Sequence, residues 1–368
     1  MKTILAPRPA ARRATALLAA FAALACAGIA AQPAGAARME VAIQDDAVFL
    51  HPSFPYSQPK AYQQAKALGV KWIRYNILWA DYKASCKQNG NSRCFQPWDN
   101  AVNTALRNGV RPQITIAGTP QYEPNGDRYI SYNRPKPARY KAFVTLVAKH
   151  FKGRVFRYSL WDEPNLPRWI TPHSQAPKIY RALVLAAYPA IKRVDRRAAV
   201  LIGEFTSANN PLAFMQQMGK GIKADGLAYH PFEFFTEPGK KIIRSKPRRV
   251  SGFIGINSTP WIQSTLRTLA RQRRISTPRG GALPLHYTEF GYQSAGRYKM
   301  SESKRRVWAL RAMQLVARFK VKEMLWYQLV HNPNSFGDVW DSGLVSQNGI
   351  TDATYLNLQR NRRSYAGF

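Results

Sequence analysis

The chain has 368 residues, 45% hydrophobic and 12% aromatic, which is enough to bury a sizeable core and too much for a disordered polymer. Its 55 lysines and arginines face only 20 aspartates and glutamates, a formal charge of +35, and there are three cysteines. This composition excludes a disulfide-dense scaffold and makes every carboxylate conspicuous.

Residues 1–36 read as a signal peptide. Lys2, Arg8, Arg12 and Arg13 form a basic start, Ala14 to Ala31 is apolar and Ala-rich, and Ala34-Gly35-Ala36 offers a small-residue cleavage site. No other apolar run is long enough to cross a bilayer. The expectation is therefore an exported or envelope-associated monomer, without stable membrane insertion, whose mature part is residues 37–368. Losing the four basic residues of the signal lowers the charge to about +31. Such a charge favours anionic surfaces or polymers, although many of the basic residues fall on helical segments, where a solvated outer face accounts for them. No nucleic-acid recognition motif accompanies the charge, so no specific nucleic-acid partner is expected.

From Glu40 onward, short apolar runs alternate with segments of helical period. The predicted strands are Val41–Gln44, Lys71–Leu78, Arg111–Ala117, Val155–Trp161, Ala199–Gly203, Gly226–His230, Leu283–Thr288 and Glu323–Leu329. The helices between them are Gln58–Leu68, Trp98–Asn108, Pro137–Phe151, Gln175–Arg193, Leu212–Lys220, Asn257–Arg273 and Ser301–Phe319, with a last one near Thr351–Arg362. Eight strands each followed by a helix predict an α/β fold, a single-domain (β/α)8 TIM barrel. An open doubly wound sheet is the rival, but no Gly-rich phosphate turn follows the first strand. Cys26 leaves with the signal, so Cys86 and Cys94, flanking a polar loop, are expected to pair. No histidine or second cysteine pair lies at metal-ligand spacing, so neither a metal nor another cofactor is expected. Asn257-Ser258-Thr259 is a formal glycosylation sequon.

Reactive groups of a barrel gather at the carboxyl ends of its strands. There the chain places Arg74, Asn76 and Trp79 on strand two, and Gln121 and Tyr122 beyond strand three. Strand four carries Asp162, Glu163 and Asn165, strand five Glu204, strand six His230-Pro231-Phe232, strand seven Glu289, and strand eight Trp326, Tyr327 and Gln328. Scarce carboxylates from three strands, four, five and seven, thus reach one rim. Glu163 precedes a proline that cannot continue a ladder, which puts it at the strand's end facing a loop. Two such carboxylates across a barrel mouth suit glycoside hydrolysis through a covalent intermediate, which needs roughly 5–5.5 Å between the carboxyl groups. An inward arginine such as Arg74 would keep one of them ionised.

At these residues the chain resembles glycoside hydrolases of clan A, nearest to family 39 and the cellulase-like family 5 barrels. The resemblance rests on Trp72-Ile73-Arg74, Trp161-Asp162-Glu163-Pro164-Asn165, Asp225-Gly226 through Tyr229-His230-Pro231-Phe232, Thr288-Glu289-Phe290-Gly291 and Trp326. It implies a retaining enzyme with Glu163 as acid/base and Glu289 as nucleophile. It also implies that Arg74 orients Glu289, His230 lines the subsite and Trp326 forms the sugar platform. Trp79, Tyr122, Trp169 and Trp340 suit stacking on a pyranose or packing in the core, and Asp162, Asn165 and Glu204 complete the candidate substrate contacts. Two departures stand out: Asp162 occupies a position where the family carries Asn, and Phe232 one where a tyrosine is frequent. Tyr229 or Tyr292 would have to supply the missing hydroxyl. The expected partner is a β-linked polysaccharide or oligosaccharide, with an acidic one admitted by the charge. The alternatives are a non-catalytic polysaccharide-binding barrel and a basic surface protein that binds anionic polymers.

Overall fold

Eight parallel strands close on themselves in the order β1-β8-β7-β6-β5-β4-β3-β2. They are β1 (Glu40–Gln44), β2 (Val70–Leu78), β3 (Arg111–Ala117), β4 (Arg157–Leu160), β5 (Ala199–Thr206), β6 (Gly226–His230), β7 (Leu285–Tyr287) and β8 (Glu323–Tyr327). The computed structural model describes residues 39–367, except for 52, 121–122, 126–128, 132–133, 248–251 and 333–339. Residues 1–36, expected to be a signal peptide, and the candidates Gln121 and Tyr122 therefore lie outside the described residues. Among the described residues no helix is long and apolar enough to cross a membrane.

Each strand leads into a helix that packs on the barrel's outside: α1 (Gln58–Ala67), α2 (Gln96–Arg107), α3 (Pro137–His150), α4 (Ala176–Val194), α5 (Pro211–Gln217), α6 (Thr259–Arg271), α7 (Glu302–Arg318) and α8 (Ala353–Asn361). Local chemistry sets their ends. Asn210, Ser301 and Asp352 each accept the backbone N–H three residues on, satisfying donors that a helix start leaves open. Pro59, Pro97, Pro137, Pro177 and Pro260 sit in first turns, where their missing N–H costs nothing. Two helices were not predicted: the single turn Asp46–Phe49, and Trp79–Asn89, which precedes α2 and whose apolar residues do not recur at helical spacing. Cys94, beyond that helix, is disulfide-bonded to Cys86 within it.

The outer layer between strands and helices is apolar, but the inside of the barrel is partly charged. At its amino end, buried Glu323 receives Gln113 at 2.7 Å, Arg157 at 3.1 Å and His286 at 3.3 Å. Above these lies a small apolar layer of Ala42, Trp72, Leu325 and Tyr327. The candidate site closes the carboxyl end. Asn257 does not present its sequon to solvent: it is buried, and its amide donates to the Glu237 carbonyl at 3.1 Å.

Candidate active site

Backbone irregularity at two strand ends aims the acidic side chains. β4 stops at Leu160, one residue earlier than its sequence pattern suggests, because the chain turns at Trp161 (φ +70°) and again at Glu163 (φ +35°). Glu163 therefore sits in the turn rather than at the strand's last position, with its N–H donating to the Glu204 carbonyl at 3.0 Å. β5 bulges between Gly203 and Phe205 and takes Glu204 through φ +50°. Gly203 is required there, since it has φ +113° and an added Cβ would lie 2.5 Å from the Ala228 carbonyl oxygen. Left-handed backbone at a non-glycine residue costs about 1–3 kcal/mol and persists where the surroundings hold it, as they do here. The side chain of Asn165 does much of the holding. It donates to the carbonyls of Thr206 (3.0 Å) and Ala208 (2.7 Å) and accepts the Thr206 N–H (3.1 Å), tying the β4 turn to the end of β5.

Inside this frame Arg74 is buried, and each edge of its guanidinium meets an acceptor. Nε donates to the Thr115 hydroxyl at 2.8 Å, and one amino group faces Gln44 and Glu289 (3.2 Å). The other faces Asp162 (2.9 Å) and Glu204 (3.4 Å). His230, at the end of β6, is the second hub. Its Nε2 lies 2.8 Å from Glu204, and its Nδ1 lies 3.2 Å from a Glu163 oxygen and 3.6 Å from a Glu289 oxygen. Seen from one nitrogen, those two oxygens cannot be farther apart than 3.2 Å plus 3.6 Å. That limit on two of the oxygens is compatible with the roughly 5–5.5 Å between carboxyl groups that a double displacement needs.

The carboxyl groups differ in charge tendency. Burial pushes every one of them up, but His230 and Arg168 outweigh it at Glu163 and hold that group down to about 2. Arg74 and His230 do the same for Glu204, which also falls to about 2. At Glu289 burial, joined by repulsion from Glu163 and Glu204, wins over His230 and Arg74, so its pKa is raised. Burial carries Asp162 up to about 7 despite Arg74 and His230. His230 is raised well above an ordinary imidazole because the surrounding carboxylates more than offset its own burial. Asp162, Glu204 and His230 offer ligand atoms within 4.8 Å of one another, and the guanidinium of Arg74 already supplies the positive charge at that point.

A cavity of about 680 Å³ opens onto Asp162, Glu163 and Glu289. Its aromatic walls are Trp169, Phe232, Phe234, Phe253, Tyr298 and Trp340, and Arg168 and Arg297 add positive charge. The expected site residues divide accordingly. Arg74, Asp162, Glu163, Glu204, His230 and Glu289 converge, although Arg74, Glu204 and His230 are buried behind the cavity wall rather than exposed in it. Glu204 is thus an internal anion holding Arg74 and His230, not a substrate contact, and Asn165 is a buried brace. Trp326 does not form the platform: it is 2% exposed, and its Nε1–H donates to the Ser342 carbonyl at 2.9 Å. Trp79 lies flat on Phe143 with ring centroids 4.8 Å apart, as a packing residue. Tyr229 does not replace the missing hydroxyl, since its own donates to the Ile254 carbonyl at 2.6 Å. The tryptophans that line the cavity are instead Trp169 and Trp340.

Gln44 escaped the sequence reading, although the strand-end rule applied to β1 finds it directly. Arg168, Arg297 and Tyr298 carried no such signal, because they reach the cavity from loops. Asp162 can restore what its departure from Asn removes. Around neutral pH part of its population is protonated, and a protonated carboxyl donates a hydrogen bond as an amide does. In Asp162→Asn the donor is present at every pH. The variant is expected to keep activity within about threefold of the parent near pH 6 and to lose less of it above pH 8. Inactivity at pH 6 would exclude the donor role.

Glu163 and Glu289 thus stand beyond the fourth and seventh strands of a closed parallel barrel. Comparison with solved structures finds glycoside hydrolases among the proteins of similar fold. It is similar to a family 39 glycoside hydrolase from the gut symbiont Bacteroides cellulosilyticus WH2, with a TM-score of 0.61 and 16% identity over 88% of this chain and 64% of that one. A family 39 enzyme from Xanthomonas axonopodis pv. citri gives 0.60 and 15% over 87% and 65%, respectively. A monomeric beta-xylosidase from Caulobacter crescentus CB15 gives 0.56 and 17% over 88% and 67%. The chain thus spans just under two thirds of the first two proteins, and at these identities the likeness is one of fold. By sequence, no protein-family model matches the chain, and no curated protein does.

Proposed function

We propose that the protein is an exported glycoside hydrolase that cleaves a β-linked glycan with retention of configuration. The observation that carries this reading is the approach of Glu163 and Glu289 to the same His230 nitrogen at the base of an aromatic-walled cavity. Glu289, held by Arg74, attacks the anomeric carbon to form a glycosyl ester while Glu163 gives its proton to the departing oxygen. Glu163 then takes a proton from water, and the hydroxide so formed displaces Glu289 from the sugar. Strain in the Glu163 turn and the buried Arg74 and His230 fix both carboxylates before substrate arrives, so little reorganisation remains for the transition state. Export is supported by residues 1–36 and by the Cys86–Cys94 bond, which suits an oxidising compartment. The net charge and the cavity arginines favour an acidic polysaccharide as substrate.

The test is to screen neutral and uronic-acid β-glycans with the mature protein and follow the first-formed anomer by NMR. Retention requires the β-anomer to appear before mutarotation, and initial α-anomer would contradict the double displacement. One observation favours a second reading, a non-catalytic polysaccharide-binding barrel: Glu163 is held ionised by Arg168. Saccharide binding without turnover of any glycan in the screen would support that reading.

A further inference from the structure

A general acid must hold a proton when the leaving oxygen departs, and the donors around Glu163 work against this. Both oxygens of Glu163 are occupied. Oε1 faces His230 at 3.2 Å, while Oε2 accepts from Arg168 at 2.9 Å and from the Trp169 indole N–H at 3.3 Å. The other charged groups facing Glu163 are Glu289 beyond β7 and Asp162 in its own turn. Of the two cations touching Glu163, His230 is fully buried and fixed between carboxylates, whereas the Arg168 side chain is 41% exposed. Arg168 stands on the cavity wall, at the oxygen the leaving group must reach.

At 41% exposure Arg168 is the cation of the two that a group entering the cavity can reach, and such a group must replace the charge that Glu163 now supplies. A neutral sugar offers no replacement. A carboxylate does, because the planar fork of arginine binds carboxylates in a matched geometry, and its present occupant is itself one. Arg297, on the same cavity, adds a second positive charge for such a group.

We propose that Arg168 is a specificity-determining residue: it pairs with Glu163 until substrate arrives and then transfers to the carboxylate of a uronic acid on the leaving-group side of the substrate, freeing Glu163 to act as the acid. Glu163 takes up a solvent proton as Arg168 departs, passes it to the glycosidic oxygen as the carbon–oxygen bond breaks, and recovers one from water in the second step. The inference rests on the reading of Glu163 as acid/base.

The experiment compares two substrates with the same β-linked sugar, one with a uronic acid as leaving group and the other with its methyl ester. kcat/KM is measured against pH for the parent, Arg168→Met and Arg168→Lys. The parent is expected to prefer the acid at least tenfold. Arg168→Met is expected to lose that preference, and Arg168→Lys, which keeps the charge but not the planar fork, to retain only part of it. Removing the cation raises the Glu163 pKa, so in Arg168→Met the alkaline limb for the ester moves up by about one pH unit or more. An unchanged preference together with an unchanged limb would overturn the role of Arg168 while leaving the glycosidase reading intact. Failure of the parent and both variants to cleave either substrate or any other glycoside would overturn both.

Discussion

Glu289→Gln is expected to abolish hydrolysis of every glycoside, with kcat falling roughly 10⁴- to 10⁶-fold, as on removal of a covalent nucleophile. The substitution is nearly isosteric, and the amide oxygen can still accept from Arg74. It also removes one of the five acidic groups gathered around Arg74 and His230 (Asp46, Asp162, Glu163, Glu204 and Glu289), which relieves repulsion in a buried cluster. The fold should therefore survive, with a thermal midpoint no lower than that of the parent, so that lost turnover reports on chemistry. Steady-state rates and a thermal melt on the same preparation check both halves. Substantial residual hydrolysis would remove Glu289 from the mechanism.

Glu163→Gln should divide substrates by leaving group. Glycosides with alkyl or sugar leaving groups need the proton and are expected to lose about 10²- to 10⁴-fold in kcat/KM. Dinitrophenyl glycosides leave unaided and should form the glycosyl ester at nearly the parental rate. The ester then accumulates, because no base activates water. Azide, an anion that needs no base, should restore its turnover and yield a glycosyl azide. Equal losses on both kinds of substrate, with no rescue by azide, would count against the acid/base role.

The barrel was legible because each strand is a short apolar run closed by a turn residue and each helix carries its own stop. Leu68 and Asn108 end helices directly before glycines at positive φ, Gly69 and Gly109, and the strands follow within two residues. Arg74, Glu163, His230 and Glu289 could be identified because barrel geometry alone brings strand ends together. The depth of each group could not be read. Glu204 is buried behind the cavity because of a bulge, and a bulge leaves no mark in hydrophobic alternation beyond the glycine beside it. Trp326 and Trp340 are indistinguishable by residue type, yet the first packs under Phe290 and the second reaches the cavity on a two-residue strand, Trp340–Asp341. Arg168 was invisible for another reason. Its partner is five residues back and is itself a left-handed residue of the turn, a contact that no helix or strand period predicts.

The central claim is that Glu289 forms a bond to sugar. The direct measurement is to incubate the mature protein with dinitrophenyl 2-deoxy-2-fluoro-β-glycosides in neutral and uronic-acid forms, digest it and locate the added mass. Fluorine at C2 slows both steps by disfavouring positive charge at the anomeric carbon, while the good leaving group lets the first step proceed. The account predicts one glycosyl group per chain, on the peptide carrying Glu289, and none in Glu289→Gln. No adduct with either form, or an adduct on Glu163 instead, would contradict it.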